Sequence, residues 1–494
     1  VSRRQVLLDW ARYAGSQYVA RLCTLVRGFI VARILGPTEY GKWIALLLIY
    51  ELGAYVHFGI LNGMDREIPF HIGKGEREKA WGYRDSGFTA VLGFTSFFLL
   101  ALIAVDLLNW KSYTPLTRFA LPAAGIALLI ENQIFLHYNL FRAQQRIGPP
   151  AEGWAVQGIS NLALSIPFVL LFRVYGLFVA LIASNLVTLA VLRARSDWRF
   201  GFRWNLGEKW RLLRRGAPIL VYLFVEVLLR QVDKLVIIAF LSREMLGYYG
   251  IAFTVAQMLM YVTTAASFTI FPRFLAEYGK TGEIGSLART LKEPTFAFSI
   301  FIPFFLGLVY LWIHIPIEHL LPKFLPGIAP MRILLCGTVF YSLASLSSYF
   351  LIAVNRTRVL LAGGLAIVGV EAVLTSLLAK RYGIEGVAAG AAVCQFLYGT
   401  ILLGYALRLV PEGGRSAAGA VFQTYAPTLY VAMIVAVLFR LLPPTEATLA
   451  GDIGMGLVRG GILAAATVPL WILLQRKTGV FTLAWDLLRR RKEP

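Results

Sequence analysis

Charges set into apolar sequence are the residues of this chain that could do chemistry. The run Arg230-Gln231-Val232-Asp233-Lys234 puts three formal charges inside a stretch that is largely apolar from Pro218 to Leu241. A charge at bilayer depth costs on the order of 2.5–3.5 kcal/mol on insertion scales, so by default it marks a site. If the stretch is one helix, spacings of three and four put Glu226, Arg230, Asp233 and Lys234 on one face. Two readings of that face stay open. One is a self-neutralised ladder of ion pairs that only holds the structure together. The other is a cationic pocket for a phosphate or pyrophosphate group, made by Arg230 and Lys234 with Arg27 opposite and tuned by the acids. Arginine suits that role because its planar fork holds phosphate oxygens bidentately and stays charged.

The first apolar stretch carries Arg21, Arg27 and Arg33. Steps of six residues turn a helix by about 240° and advance it by about 9 Å, so the three cannot all face one cavity. Arg33, near a membrane edge, is expected to snorkel or cap. Arg27 is deeper and is a candidate to line a cavity; Arg21, nearer the cytoplasmic entry, is another, and so is Arg332. Glu51, Glu131 and Glu371 are acids at membrane depth, and Glu131-Asn132-Gln133 with His137 makes a polar patch. Each acid reads either as a proton- or sodium-binding group for coupled transport or as hydrogen-bonded helix packing.

Composition says what holds these residues. With 58% hydrophobic and only 15% charged residues and a mean hydropathy of +0.67, a set of soluble domains is excluded and an all-α polytopic membrane protein is predicted. The net charge of +21 does not point to nucleic acid, because most Lys and Arg fall on alternate connectors. That is the positive-inside signature, and it predicts both termini in the cytoplasm. The basic tail Arg489-Arg490-Arg491-Lys492 is expected to lie against anionic headgroups. Cys23, Cys336 and Cys394 are isolated, so neither a disulfide framework nor a metal cluster is indicated. The first apolar run is long enough to span and lacks a cleavage site, so no cleavable leader is expected; Val1 suggests a processed or trimmed start, or an alternative start codon.

About 14 spans are predicted from apolar runs of roughly 20 residues. The run RGFIVARILGPTEYGKW from Arg27 is echoed by the stretch from Arg230 to Tyr249: sliding by 206 puts Leu35 on Leu241, Gly41 on Gly247 and Arg27 on Asp233. A second match, Tyr175-Gly176 with Tyr382-Gly383, falls at 207. The layout predicted is an N-lobe of six helices over residues 1–192, a basic cytoplasmic linker over 193–215, and a C-lobe of six helices over 216–410. Two extra helices and the basic tail fill 411–494. Six spans per unit give the lobes parallel topology about a central cavity, an arrangement suited to alternating access. Within this layout residues 42–63 form the second span and 65–86 a connector along the membrane surface.

Walker A, dinucleotide, HExxH, paired CxxC and GxSxG patterns are missing, so an enzyme or an ATP-driven pump in one chain is not expected. ARILGPTEYGKW at 32–43 resembles the ARxLGxxxYG signature of polysaccharide biosynthesis and export proteins, within the superfamily of multidrug, oligosaccharidyl-lipid and polysaccharide exporters. Asp233-Lys234 with Leu246-Gly247-Tyr248-Tyr249, and the Arg142-Ala143-Gln144 loop, fit the same resemblance. It implies a flippase of the bacterial inner membrane that moves undecaprenyl-pyrophosphate-linked oligosaccharide, such as an O-antigen unit of lipopolysaccharide. It also implies a cationic cavity for the anionic cargo, carried here to Arg27, Arg230 and Lys234. Proton or sodium coupling without a bound cofactor, membrane lipids, and a polysaccharide polymerase with its assembly proteins are the implied partners. A lipid II flippase is the nearest alternative; a membrane glycosyltransferase or ligase of polymer assembly is further off, because the external connectors are short.

Overall fold

The computed structural model describes residues 3–410, 416–442 and 448–478. The basic tail at 489–492 lies outside the described residues. Fifteen α-helices are found among the described residues, and no strand. They are α1 (Arg3–Leu35), α2 (Pro37–Gly53), α3 (Ile60–Gly73), α4 (Arg77–Leu108), α5 (Pro115–Ala143), α6 (Gly148–Ala194), α7 (Leu206–Leu228) and α8 (Val232–Phe240). There follow α9 (Arg243–Thr281), α10 (Ala288–Trp312), α11 (His314–Leu320), α12 (Ile328–Ala353), α13 (Thr357–Leu409), α14 (Ala417–Leu441) and α15 (Leu449–Thr478). Backbone groups in lipid must be satisfied within the segment, which is why a chain this apolar is helical throughout.

Among the described residues eight helices are long and apolar enough to cross a membrane, and the protein is a multi-pass membrane protein. Two of the eight, α6 and α13, are each a pair of helices joined at one non-helical residue, Arg173 (φ 55°) and Gly383 (φ 59°). The α6 pair is a hairpin, since Gln157 bonds Asn185 across it. Hydropathy passes over other expected spans for plain reasons: α2 and α8 are short, at 17 and 9 residues, and Arg21 and Arg27 interrupt α1.

The chain divides into two compact units, 1–251 and 252–494. The division falls after the basic segment 193–215 because α7 packs on the first unit. Trp198 and Leu212, from that segment, are buried in one cluster with Ile60, Met64, Ile134 and Phe141. The segment is anchored further by Arg203, whose N–H donates to Thr89, and by Phe200 stacked on Phe88 at 4.7 Å. The second expected span ends early, at Gly53. Residues 60–63 belong instead to α3, which buries Ile60, Leu61, Met64 and Ile68.

The repeat is written into the turns. Gln145 after α5 and Asn355 after α12 both take the left-handed conformation, with φ 58° at each. The N–H one residue on then reaches back to the carbonyl five residues earlier, Arg146 to Phe141 at 2.9 Å and Arg356 to Leu351 at 2.8 Å, the Schellman closure of a helix end. Inside the hairpins Gly176 packs on the Phe168 carbonyl and Gly386 on the Leu378 carbonyl, eight residues upstream in both cases. These equivalences are 210 apart, so the sequence match of Tyr175-Gly176 with Tyr382-Gly383 at 207 does not join structurally equal positions. The turn geometry decides the register: Gly383 corresponds to Arg173. Arginine tolerates that glycine-like backbone where its guanidinium reaches the last carbonyls of α1, at Ile34 and Leu35.

At the start of each repeat the 206 register holds, and its glycines meet. A Cβ on Gly41 would lie 1.6 Å from the Arg243 carbonyl oxygen, and a Cβ on Gly247 would lie 2.0 Å from the Pro37 carbonyl oxygen. Pro37 and Arg243 are themselves 206 apart, so the contact is reciprocal, as in a two-fold interface. Only glycine lets the first turns of α2 and α9 approach this closely. Gly41→Ala and Gly247→Ala are each expected to cost about 1–3 kcal/mol, the usual range for overpacking. Because one opening of the α2–α9 crossing relieves both clashes, the double variant is expected to lose less than the sum. Thermal unfolding of the four proteins checks this, and strict additivity would contradict the shared contact.

Candidate functional site

The stretch expected to carry the chemistry is not one helix. α7 ends at Leu228, residues 229–231 form a turn, and α8 begins at Val232. The four charges therefore do not share a helical face. Glu226 and Arg230 close the end of α7: the Arg230 Nε donates to the Glu226 carbonyl at 3.1 Å, and its Nη2 lies 3.6 Å from the Glu226 carboxylate. Tyr222 donates to the same carboxylate at 2.8 Å. Asp233 and Lys234 open α8 and are only 3% and 4% exposed.

Those two buried charges are held differently. Asp233 accepts from the Tyr249 hydroxyl at 2.5 Å and from the Lys234 N–H at 2.7 Å. An acid in the first turn also suits the positive end of a helix. Lys234 Nζ donates to Gln231 Oε1 at 2.8 Å and lies 3.9 Å from Glu51. Gln231 in turn donates to Glu51 Oε2 at 2.8 Å. Gln231 thus bridges a lysine on α8 to an acid on α2, and the break in the helix is what lets its amide reach both.

Arg27, expected opposite Lys234, takes other partners. Its Nε donates to Ser165 at 2.7 Å, and its guanidinium lies 5.4 Å from the centre of the Trp43 ring. Its Nη2 is buried with no hydrogen-bond partner among the described residues. The 206 register links this arrangement to the one above, since Arg27 maps to Asp233 and Trp43 to Tyr249. In each repeat a charge on the first helix is met by an aromatic side chain from the second. The charge is reversed between repeats, and the aromatic changes with it from a π face to a hydroxyl donor. Arg21 is half-buried and Arg33 exposed on the same helix.

Glu131 lies against the Tyr50 hydroxyl, and its Oε2 is enclosed with no hydrogen-bond partner. Tyr50 accepts from Asn185 at 3.2 Å, and Asn185 accepts from Gln157 at 3.1 Å. Tyr50 and Glu51 are adjacent, so α2 joins this chain of polar groups to the Gln231–Lys234 pair. In the rest of the polar patch Asn132 donates to the Leu128 carbonyl and His137 meets the Gln133 carbonyl at 2.7 Å, while Asn132 Oδ1, Gln133 Nε2 and His137 Nε2 are buried without a hydrogen-bond partner among the described residues. Glu371 and Arg332 belong to the second unit and are described there, Glu371 buried in α13 beside Thr375 and Arg332 near the start of α12.

Sequence reasoning missed Gln231, Tyr50, Asn185, Ser165 and Tyr249. Neutral polar residues are cheap in apolar helices and give no composition signal, although Gln231 and Tyr249 lie inside the motif itself. Tyr249→Phe removes a donor to a buried carboxylate and is expected to cost about 1.5–3 kcal/mol, the range for a hydrogen bond to a charged group. Thermal unfolding in detergent reads this; unchanged stability would show that Asp233 does not depend on Tyr249.

Comparison with known proteins agrees with this architecture. Residues 6–276 match the family described as polysaccharide biosynthesis protein. No curated protein matches the chain by sequence. Among solved structures, the lipid II flippase MurJ in its inward closed conformation is similar at a TM-score of 0.71 and 15% identity, covering 94% of this chain and 99% of that one. An inward-facing multidrug resistance MATE family transporter of the MOP superfamily gives 0.67 at 14% identity, covering 85% and 96%. A Vibrio cholerae MATE transporter gives 0.60 at 16%, covering 82% and 98%. The fold is shared with these polytopic transporters, and the chain itself belongs to the polysaccharide biosynthesis protein family.

Proposed function

We propose that this chain is a flippase for a polyprenyl-pyrophosphate-linked oligosaccharide, working in the bacterial inner membrane with both termini in the cytoplasm. The observation that carries the reading is Arg27. A guanidinium at membrane depth is expensive, and this one keeps an enclosed Nη2 donor without a hydrogen-bond partner among the described residues. A pyrophosphate oxygen would satisfy it and would add the charge-assisted geometry that arginine favours. Ser165 and Trp43 hold the guanidinium in place, so it is preorganised for an anion. Arg230 and Lys234 serve the same cargo once their present acids release them, and Glu226 and Glu51 are the competing anions.

Coupling is proposed to run through α2. Glu131 and Glu51 are the carboxylates whose protonation or cation binding would reach Lys234, through Tyr50 on one side and Gln231 on the other. The polymer-assembly machinery outside the membrane is the proposed recipient of the cargo. A second reading, lipid II as the cargo, is favoured by the similarity to MurJ over 94% of this chain. Both cargoes carry a pyrophosphate on a polyprenyl chain, so Arg27 serves either.

Reconstituted vesicles carrying labelled polyprenyl-pyrophosphate oligosaccharide test the proposal, with labelled lipid II run in parallel. The wild type is expected to translocate the oligosaccharide lipid. Arg27→Gln is expected to lose roughly tenfold or more, the worth of one charge-assisted hydrogen bond. Transport of lipid II alone would decide for the second reading, and undiminished transport by folded Arg27→Gln would remove the arginine from the mechanism.

A further inference from the structure

At the end of the second unit where α10 and α14 stop and α12 and α15 begin, two arginines share one aromatic ring. Arg332 lies 4.5 Å and Arg459 5.7 Å from the centre of the Phe439 ring, and Arg332 is also 5.4 Å from Tyr310. Arg459 has no solvent exposure, yet its Nε, Nη1 and Nη2 all lack a hydrogen-bond partner among the described residues. The Arg332 Nε is likewise without one. Two acids stand near without hydrogen-bonding these nitrogens: Asp452, two turns before Arg459 on the same face of α15, has its Oδ2 taken by His319 at 2.8 Å, and Glu318 on α11 faces Arg332. An enclosed guanidinium with every donor unused is a costly arrangement unless an anion completes it.

Tyr310 and Phe439 also line a cavity of about 180 Å³ between α10, α12 and α14. From Phe439 it runs past Val435 and Val431 to Thr428, about 16 Å along α14 at the rise of a helix. Apart from the two rings its walls are almost wholly aliphatic, and Cys336 on its α12 side is exposed. A cationic head joined to an apolar channel has the chemistry of an amphiphile turned inside out. Basic pockets between membrane helices recognise lipid headgroups in this way.

We propose that this end of the second unit binds a membrane lipid by its phosphate, held between Arg332 and Arg459, with a hydrocarbon chain in the α10–α12–α14 cavity. The site draws on α10, α12, α14 and α15 of the second unit and uses none of the residues of the Arg27 and Lys234 networks. Its ligand class is an anionic phospholipid rather than a zwitterionic one. Both classes present the same phosphodiester to the arginines, but a choline or ethanolamine would bring a further cation beside two guanidiniums, and an anionic headgroup does not.

Photo-crosslinking on the full chain in nanodiscs tests the proposal. The probe is phosphatidylglycerol with a diazirine in its acyl chain, compared with the same chain on phosphatidylcholine, and crosslinks are mapped by peptide. Phosphatidylglycerol is expected to label α12 and α14 about tenfold more, because the choline of phosphatidylcholine would be held beside two guanidiniums. Arg332→Gln alone, at a partly exposed position, is expected to remove most of that preference while leaving the melting temperature near the wild type's, and Arg332→Gln with Arg459→Gln to abolish it. Excess inorganic phosphate is expected to leave most of the labelling in place. Equal labelling by the two lipids, or an undiminished preference in folded Arg332→Gln, would overturn the proposal; complete displacement by inorganic phosphate would overturn its lipid part.

Discussion

The first unit depends on one constraint: a charge buried among apolar helices must be answered by a neighbouring side chain, or the helix does not stay buried. Asp233 and Lys234 meet that constraint within a few residues of each other, yet through separate partners. Tyr249 answers the acid, and Gln231 with Glu51 answers the base. Tyr249 can reach Asp233 because α9 comes in close over α2 at Gly247, where the Gly41 backbone leaves room for it. The packing of two glycines and the neutralisation of a buried carboxylate are thus parts of one local solution.

The same solution occurs in both repeats with the charge inverted. Arg27 under Trp43 and Asp233 under Tyr249 occupy corresponding places in a 206-residue register. One duplicated frame thus holds a cation in one copy and an anion in the other. The partnering also differs in completeness. Both oxygens of Asp233 accept hydrogen bonds, whereas Arg27 keeps one guanidinium nitrogen without a partner. That asymmetry is the physical basis for the proposal that cargo is recognised on the arginine side.

Much of this was legible in the sequence because membrane helices are constrained by their solvent. Apolar length, the Gly36-Pro37 stop and the motif glycines give the helical class, the repeat and the location of the charges. Other features depended on atoms far apart in sequence. The break at 229–231 has no proline or glycine to announce it, so a continuous helix and a single charged face were the natural expectation. The second register was misread by three residues because a Tyr-Gly pair is conspicuous in letters, whereas the left-handed residue that sets the turn is an arginine in one copy. Asn185 and Tyr50 meet across 135 residues, and Ser165 and Arg27 across 138.

The central claim is that Arg27 is kept for an anionic cargo and is not merely a strut. The most direct measurement is the thermal stabilisation of the purified full chain by a short-chain polyprenyl-pyrophosphate oligosaccharide, in wild type and in Arg27→Gln. A ligand that binds only the folded state raises its stability in proportion to occupancy. The account predicts a folded variant that the ligand stabilises far less than the wild type. Equal stabilisation of the two proteins would contradict it.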